Sequence, residues 1–141
     1  MNGSPAGSPV FQLMGALLAV QARLEVALEP VGLSLAKFGV LAKLVMAGEP
    51  LPLGTLAERC ACVKSNITQL VDRLEAERLV VRAPDPRDRR SIRAELSAKG
   101  RRLYDEGRKA VEVAEQEVLG SLSGPERDEL LRLLQGLREG R

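Results

Sequence analysis

Histidine is absent from this 141-residue chain. Its absence removes the commonest general base and the commonest transition-metal ligand together. Aromatic residues are scarce: Phe11, Phe38 and Tyr104 are the whole set. Binders of single strands stack bases on exposed rings, and these few rings, most of them expected in the core, cannot build such a platform. Cysteine is confined to Cys60 and Cys62, a spacing that forms no secreted disulfide framework. Two thiols without histidine also make no metal site. There is no Gly-rich phosphate loop and no nucleophile–base pair, so an enzyme is not expected, nor is a cofactor. No apolar run reaches the roughly 18–20 residues of a membrane span: the stretch Val10–Val20 contains Gln12 and is followed by Gln21 and Arg23. Residues 1–9 carry no Lys or Arg and so lack the basic start of a secretory signal. They read as a flexible Gly/Ser/Pro arm, and the expected compartment is the cytoplasm, with no membrane partner.

What is present is ordinary for a globular domain: 45% hydrophobic and 28% charged residues, enough for one core. The formal charge is 21 − 19 = +2, so any argument for nucleic acid rests on where the charges sit. Helical spacing runs over Phe11–Leu28 and stops at Glu29-Pro30. Ser34 caps a second helix, Leu35–Met46, closed by Gly48. A short third helix covers Leu53–Arg59 and a fourth Lys64–Glu77. Then Leu79–Arg82 turns β-rich, Pro84–Asp88 carries turn chemistry, and Ser91–Leu96 returns as a second strand. Ser97 caps a long fifth helix to about Leu119, too charged to bury much of its surface, which is expected to leave the body along a narrow seam. Ser123 and Glu126 form a capping box, with Pro125 in the first turn, for a sixth helix. The predicted fold is mainly α with a small β-hairpin. It is a winged helix-turn-helix over residues 34–97, flanked by helices at 10–30 and 98–139, in a single domain spanning 10–141. The flanking helices cannot bury their apolar faces alone, which argues for a homodimer.

The fourth helix places Ile67, Leu70, Val71 and Leu74 on one stripe. The opposite face carries Lys64, Ser65, Asn66, Thr68, Gln69, Asp72 and Arg73. Asn and Gln bind adenine in two-point fashion, and Ser or Thr bonds base edges or phosphates. In a helix-turn-helix the start of the second helix enters the major groove, and helix 64–77 is in that position. The hairpin follows with Arg82, Arg87, Arg89, Arg90 and Arg93 against Asp85 and Asp88, a local charge of 5 − 2 = +3. A basic tip at 82–93 suits phosphates or the narrow minor groove. The aspartates are read as partners that orient the guanidinium forks. The alternative is a winged-helix module that binds protein and not DNA, which would have no reason to gather arginines at the tip. Cys60 and Cys62 read first as small buried hydrophobes; the other reading is a thiol switch beside Lys64 and the start of the fourth helix.

Three segments together resemble the MarR family of bacterial regulators over nearly the whole chain. Leu56-Ala57-Glu58-Arg59 looks like the family's third helix and Thr68–Glu75 like its recognition helix. Asp88-Arg89-Arg90-Ser91 through Leu96-Ser97-Ala98-Lys99-Gly100 looks like its wing signature. The resemblance implies an obligate dimer built by the first, fifth and sixth helices. It implies a pseudo-palindromic operator with half-sites about one helical turn apart. It also implies repression relieved by a small aromatic or lipophilic ligand, or by thiol oxidation. Arg90 would enter the minor groove and Asp88 would orient it. The chain departs from the pattern at Ala61, where the family has Gly, and at Val63, where it has a Ser cap. Arg78 stands in place of a helix-ending Gly; if that site is left-handed, Arg costs roughly 1 kcal/mol there.

Overall fold

A computed structural model describes residues 7–60 and 64–140 of the chain. The first helix, α1, spans Pro9–Leu28, with Pro9 in its first turn where a missing N–H costs nothing. A single 3-10 turn, Glu29–Val31, follows. Helix α2 spans Leu35–Ala47; the Ser34 side chain accepts the Lys37 N–H at its start and Gly48 closes it at φ 68°. A Glu25 carboxylate oxygen also accepts the Leu35 N–H, so α1 satisfies a second orphan donor of α2.

A two-residue strand, β1 (Leu51–Pro52), precedes helix α3 (Leu53–Arg59). Helix α4 covers Lys64–Ala76. Strands β2 (Val80–Asp85) and β3 (Asp88–Leu96) form the hairpin, with an irregularity between Pro84 and Asp85. Both strands run further into the tip than the turn residues suggest. The sheet order is β1-β3-β2, all antiparallel, with Leu51 opposite Ala94 and Val80 opposite Leu96. Helix α5 spans Ala98–Leu119 and α6 Gly124–Arg138. The capping box at Ser123 and Glu126 is complete, and the Ser123 N–H holds the Glu126 carboxyl below its ordinary range.

The core gathers the inward faces of α2, α3, α4 and the sheet: Val40, Leu41, Leu56, Ile67, Val71, Leu74, Leu79 and Val80 are all but inaccessible. Phe38 and Tyr104 stack at 5.5 Å on its flank, whereas Phe11 is 52% exposed and belongs to no core of this chain. Helix α5 does have a narrow seam. Its buried residues are Gly100, Gly107 and Ala114, seven apart. It leaves the body later than expected, however: a Cβ at Gly107 would sit 2.9 Å from the Phe38 ring, and one at Gly100 would sit 2.1 Å from the Leu79 carbonyl oxygen.

One expectation is corrected outright. The stretch Pro9–Val31 is 23 residues long with a mean hydropathy of 1.4, long and apolar enough by length and composition to cross a membrane. Gln12 and Gln21 do not break it, because two amides do not offset the surrounding Val, Leu, Met and Ala. Within its own chain α1 buries only Leu28 and exposes Val10, Phe11, Met14, Leu17 and Leu18. Helix α6 buries nothing and exposes Leu131, Leu133 and Leu137. The two chain ends therefore carry the apolar surface that the fold leaves open.

Two substitutions test the packing at the α4–β2 junction. Gly100→Ala should cost about 3 kcal/mol, because the obstacle is backbone and cannot swing aside; a loss below about 1 kcal/mol in urea unfolding would contradict the close approach. Arg78 is the only described non-glycine residue at positive φ, 62°. Arg78→Gly should raise stability by about 1 kcal/mol, the left-handed strain outweighing the added freedom of the unfolded chain; the same unfolding curves read it.

Candidate nucleic-acid interface

Helix α4 is amphipathic as its spacing requires. Ile67, Val71 and Leu74 are fully buried and Leu70 is half-buried. On the other side Asn66, Gln69, Asp72 and Arg73 are exposed and Thr68 is half-buried. The structure thus presents Asn66, Gln69 and Arg73 together on one open face. Lys64 and Ser65 open the helix; their side chains, with Ala61, Cys62 and Val63, lie outside the described residues. The expectations of a missing cap at Val63 and of a second thiol at Cys62 fall there.

The wing tip places Arg87, Arg89 and Arg90 in solvent. Its aspartates do not act as expected. Asp85 Oδ1 accepts the Arg87 N–H at 2.9 Å and Asp88 Oδ1 accepts the Arg90 N–H at 3.0 Å. Neither aspartate pairs with a guanidinium among the described residues. A carboxylate on one methylene reaches the backbone two residues on before it can meet the end of a long arginine stem. The aspartates therefore shape the turn, and the three arginine heads carry no ion pair among the described residues.

Arg82 and Arg93 do not belong to this tip. Arg82 pairs with Asp72 at 2.5 Å and with Glu75 at 3.2 Å. Its backbone N–H also donates to Glu75 Oε2 at 2.9 Å. That bond, with the guanidinium beside it, holds the Glu75 carboxyl below its ordinary range. Arg93 lies at the wing's root, opposite Pro52 and Ala83, and its Nε is buried without a hydrogen-bond partner among the described residues. The Glu75–Arg82 contact is absent from the sequence reading. The two residues are seven apart on a helix and a strand, and only the fold says that they meet.

Between helix and wing, the turn at Arg78 is tied to the start of α5. Ser97 Oγ donates toward the Arg78 carbonyl at 2.6 Å, the Ser97 N–H donates to the Leu79 carbonyl at 3.0 Å, and Lys99 Nζ donates to the Glu77 carbonyl at 3.0 Å. Lys37 on α2 pairs with Glu77 at 2.7 Å. Cys60 ends α3, half-buried against the core. It also lines an open groove with Glu25, Leu35, Lys43 and Arg59.

A short helix, a second helix with an open polar face and a basic-tipped hairpin make this a winged helix-turn-helix protein. The MarR family model matches residues 31–91. The HTH-type transcriptional regulator YkoM of Bacillus subtilis is 33% identical over 103 residues, 73% of this chain and 66% of that protein. The HTH-type transcriptional repressor Rv2887 of Mycobacterium tuberculosis is 28% identical over 96% of this chain and 95% of its own length. Among solved structures, Bordetella bronchiseptica BpsR superposes with a TM-score of 0.90 at 25% identity, covering 98% of each chain. The chain belongs to the MarR family. It is a transcriptional regulator and not an enzyme.

Proposed function

We propose that the chain is a cytoplasmic repressor that binds a pseudo-palindromic duplex operator as a homodimer and is released by a small effector. The exposed face of α4, residues 64–77, lies in the major groove, with Lys64, Ser65, Asn66, Thr68, Gln69 and Arg73 toward bases and phosphates. The wing, 82–93, reaches the adjacent minor groove with Arg87, Arg89 and Arg90, on a turn held by Asp88. One observation carries the reading. The three tip arginines stand exposed, with no ion pair among the described residues, on a hairpin turn braced by aspartate-to-backbone bonds.

The exposed leucines of α6 and the apolar face of α1 support self-association: two such helices in one small chain need a second copy to cover them. A protein partner at that surface is cheaper in composition than a membrane, because Arg23 and Glu25 interrupt the far end of α1. Repression is supported by the relative Rv2887, named a repressor. An aromatic or lipophilic effector is supported by BpsR, whose DNA binding is regulated by 6-hydroxynicotinic acid. Oxidation of Cys60 and Cys62 is the second route of release; Cys60 ends α3 half-buried against the core that α4 shares, where a bulkier sulfur would disturb the packing.

The deciding experiment is an anisotropy titration, at fixed salt, of the duplex that the protein enriches from a random-sequence pool. A base-shuffled duplex serves as control, because phosphate-driven affinity alone varies steeply with salt. Tight binding over the shuffled duplex is expected. Equal binding to both would leave the protein-interaction module in its place. Arg90→Ala should weaken the enriched duplex about 10- to 100-fold while the protein still elutes as a dimer. Ending the chain after Leu122 should convert dimer to monomer by light scattering and remove tight binding with it. A folded monomer that still bound tightly would refute the dimer.

A further inference from the structure

We propose that Arg82 is a positioning residue, a clamp that fixes the angle between the recognition helix and the wing so that both reach one duplex in register. The inference rests on the DNA-binding reading above and adds to it a residue that touches no DNA.

Arg82 is the third residue of β2 and half-buried, on a wing whose arginines would be expected to face phosphate. It faces α4 instead. Its guanidinium spans Asp72 at 2.5 Å and Glu75 at 3.2 Å, one turn apart on that helix, and Glu75 accepts its backbone N–H as well at 2.9 Å. Asp72 and Glu75 thus hold both the side chain and the main chain of the strand. A planar guanidinium meets two carboxylates through donors in a fixed fork and so sets their relative position, whereas the rotating donors of a flexible ammonium fix none. The covalent link between helix and strand is the turn 77–79, whose Arg78 is in a left-handed conformation. Pairing with β3 and the buried Val80 hold the strand on its core side, and the clamp ties it directly to α4.

Charge and positioning make opposite predictions, which separates them. Glu75→Ala removes an anion near the reading face. Charge alone would tighten binding to both duplexes. Loss of the clamp should instead weaken the enriched duplex about tenfold and leave the shuffled one unchanged or slightly tighter. Arg82→Lys keeps the charge and loses the bridge, so it should lose about the same factor on the enriched duplex. The slope of log affinity against log salt should stay that of the wild type in both variants. Thermal unfolding and elution as a dimer check that each variant is folded; Glu75→Gln, which keeps an acceptor for the Arg82 N–H, should recover part of the loss.

Arg82→Ala decides the rival role. A phosphate contact would lower the salt slope by about one and weaken both duplexes equally, and that result would overturn the clamp. So would tighter binding by Glu75→Ala to both duplexes. If the wild type prefers the enriched duplex and the Arg82 and Glu75 variants match it, the clamp alone fails. If the wild type shows no preference, the DNA reading fails and the clamp with it.

Discussion

The fold turns on one close approach: the start of α5 lies directly on the Leu79 carbonyl, at a distance only a residue without a Cβ allows. Three parts with different tasks meet there. Helix α4, the proposed recognition helix, ends at Ala76, the wing begins at Val80, and the long helix leaves at Ala98. Nearly every polar group at this crossing is used. Ser97 closes the turn with its hydroxyl and its N–H and still caps α5 by accepting the Gly100 N–H. Leu74 accepts the Leu79 N–H from the other side. An arginine in left-handed backbone survives at position 78 because these bonds over-determine the turn.

With the turn fixed, the charges divide by range. Bonds between near neighbours shape the backbone, as Asp85 and Asp88 do at the wing tip. Bonds between elements fix relative position, as Lys37–Glu77 and Arg82–Glu75 do. The guanidinium heads of Arg87, Arg89 and Arg90 at the tip have neither kind of bond among the described residues. An exposed ion pair is worth little to folding, so leaving Arg87, Arg89 and Arg90 without one costs the fold almost nothing and leaves their donors open for the proposed contacts with DNA. The local charge seen along the sequence, +3 over 82–93, therefore overstates what the tip offers, because Arg82 is already neutralised by two carboxylates.

Much of this was legible in sequence because its signals are local. Ser34, Ser97 and Ser123 cap helices within a residue of where they were expected, since a hydroxyl three residues ahead of an N–H is chemistry that needs no tertiary partner. The stripe Ile67–Leu74 was legible for the same reason; left-handed backbone at Arg78 was raised only as a condition, through the resemblance that puts glycine there. Strand β1 was not: two residues, one of them proline, carry no periodicity, and only the pairing of Leu51 with Ala94 makes them a strand. The clamp was not, because Glu75 and Arg82 meet only after the chain reverses. The length of apolar α1 was misjudged by treating single glutamines as breaks, when what decides is the average over the helix.

The seam of α5 connects these local matters to the apolar surface at the chain's ends. Gly100, Gly107 and Ala114 recur every seven residues, so the line of contact drifts only slowly around a helix of 22 residues, about 33 Å long. Small residues along that line let α5 lie close against the body at one end and against α1 farther on, where Ala22, Ala27, Ala110 and Ala114 line a shallow groove. One continuous helix thus touches the reading junction and the surface proposed for dimer contact. At Gly100 there is no slack between the helix and the Leu79 carbonyl. The turn held there is the one from which α4 and β2 both run, so the body, the wing and the apolar surface of α1 are joined through a single helix.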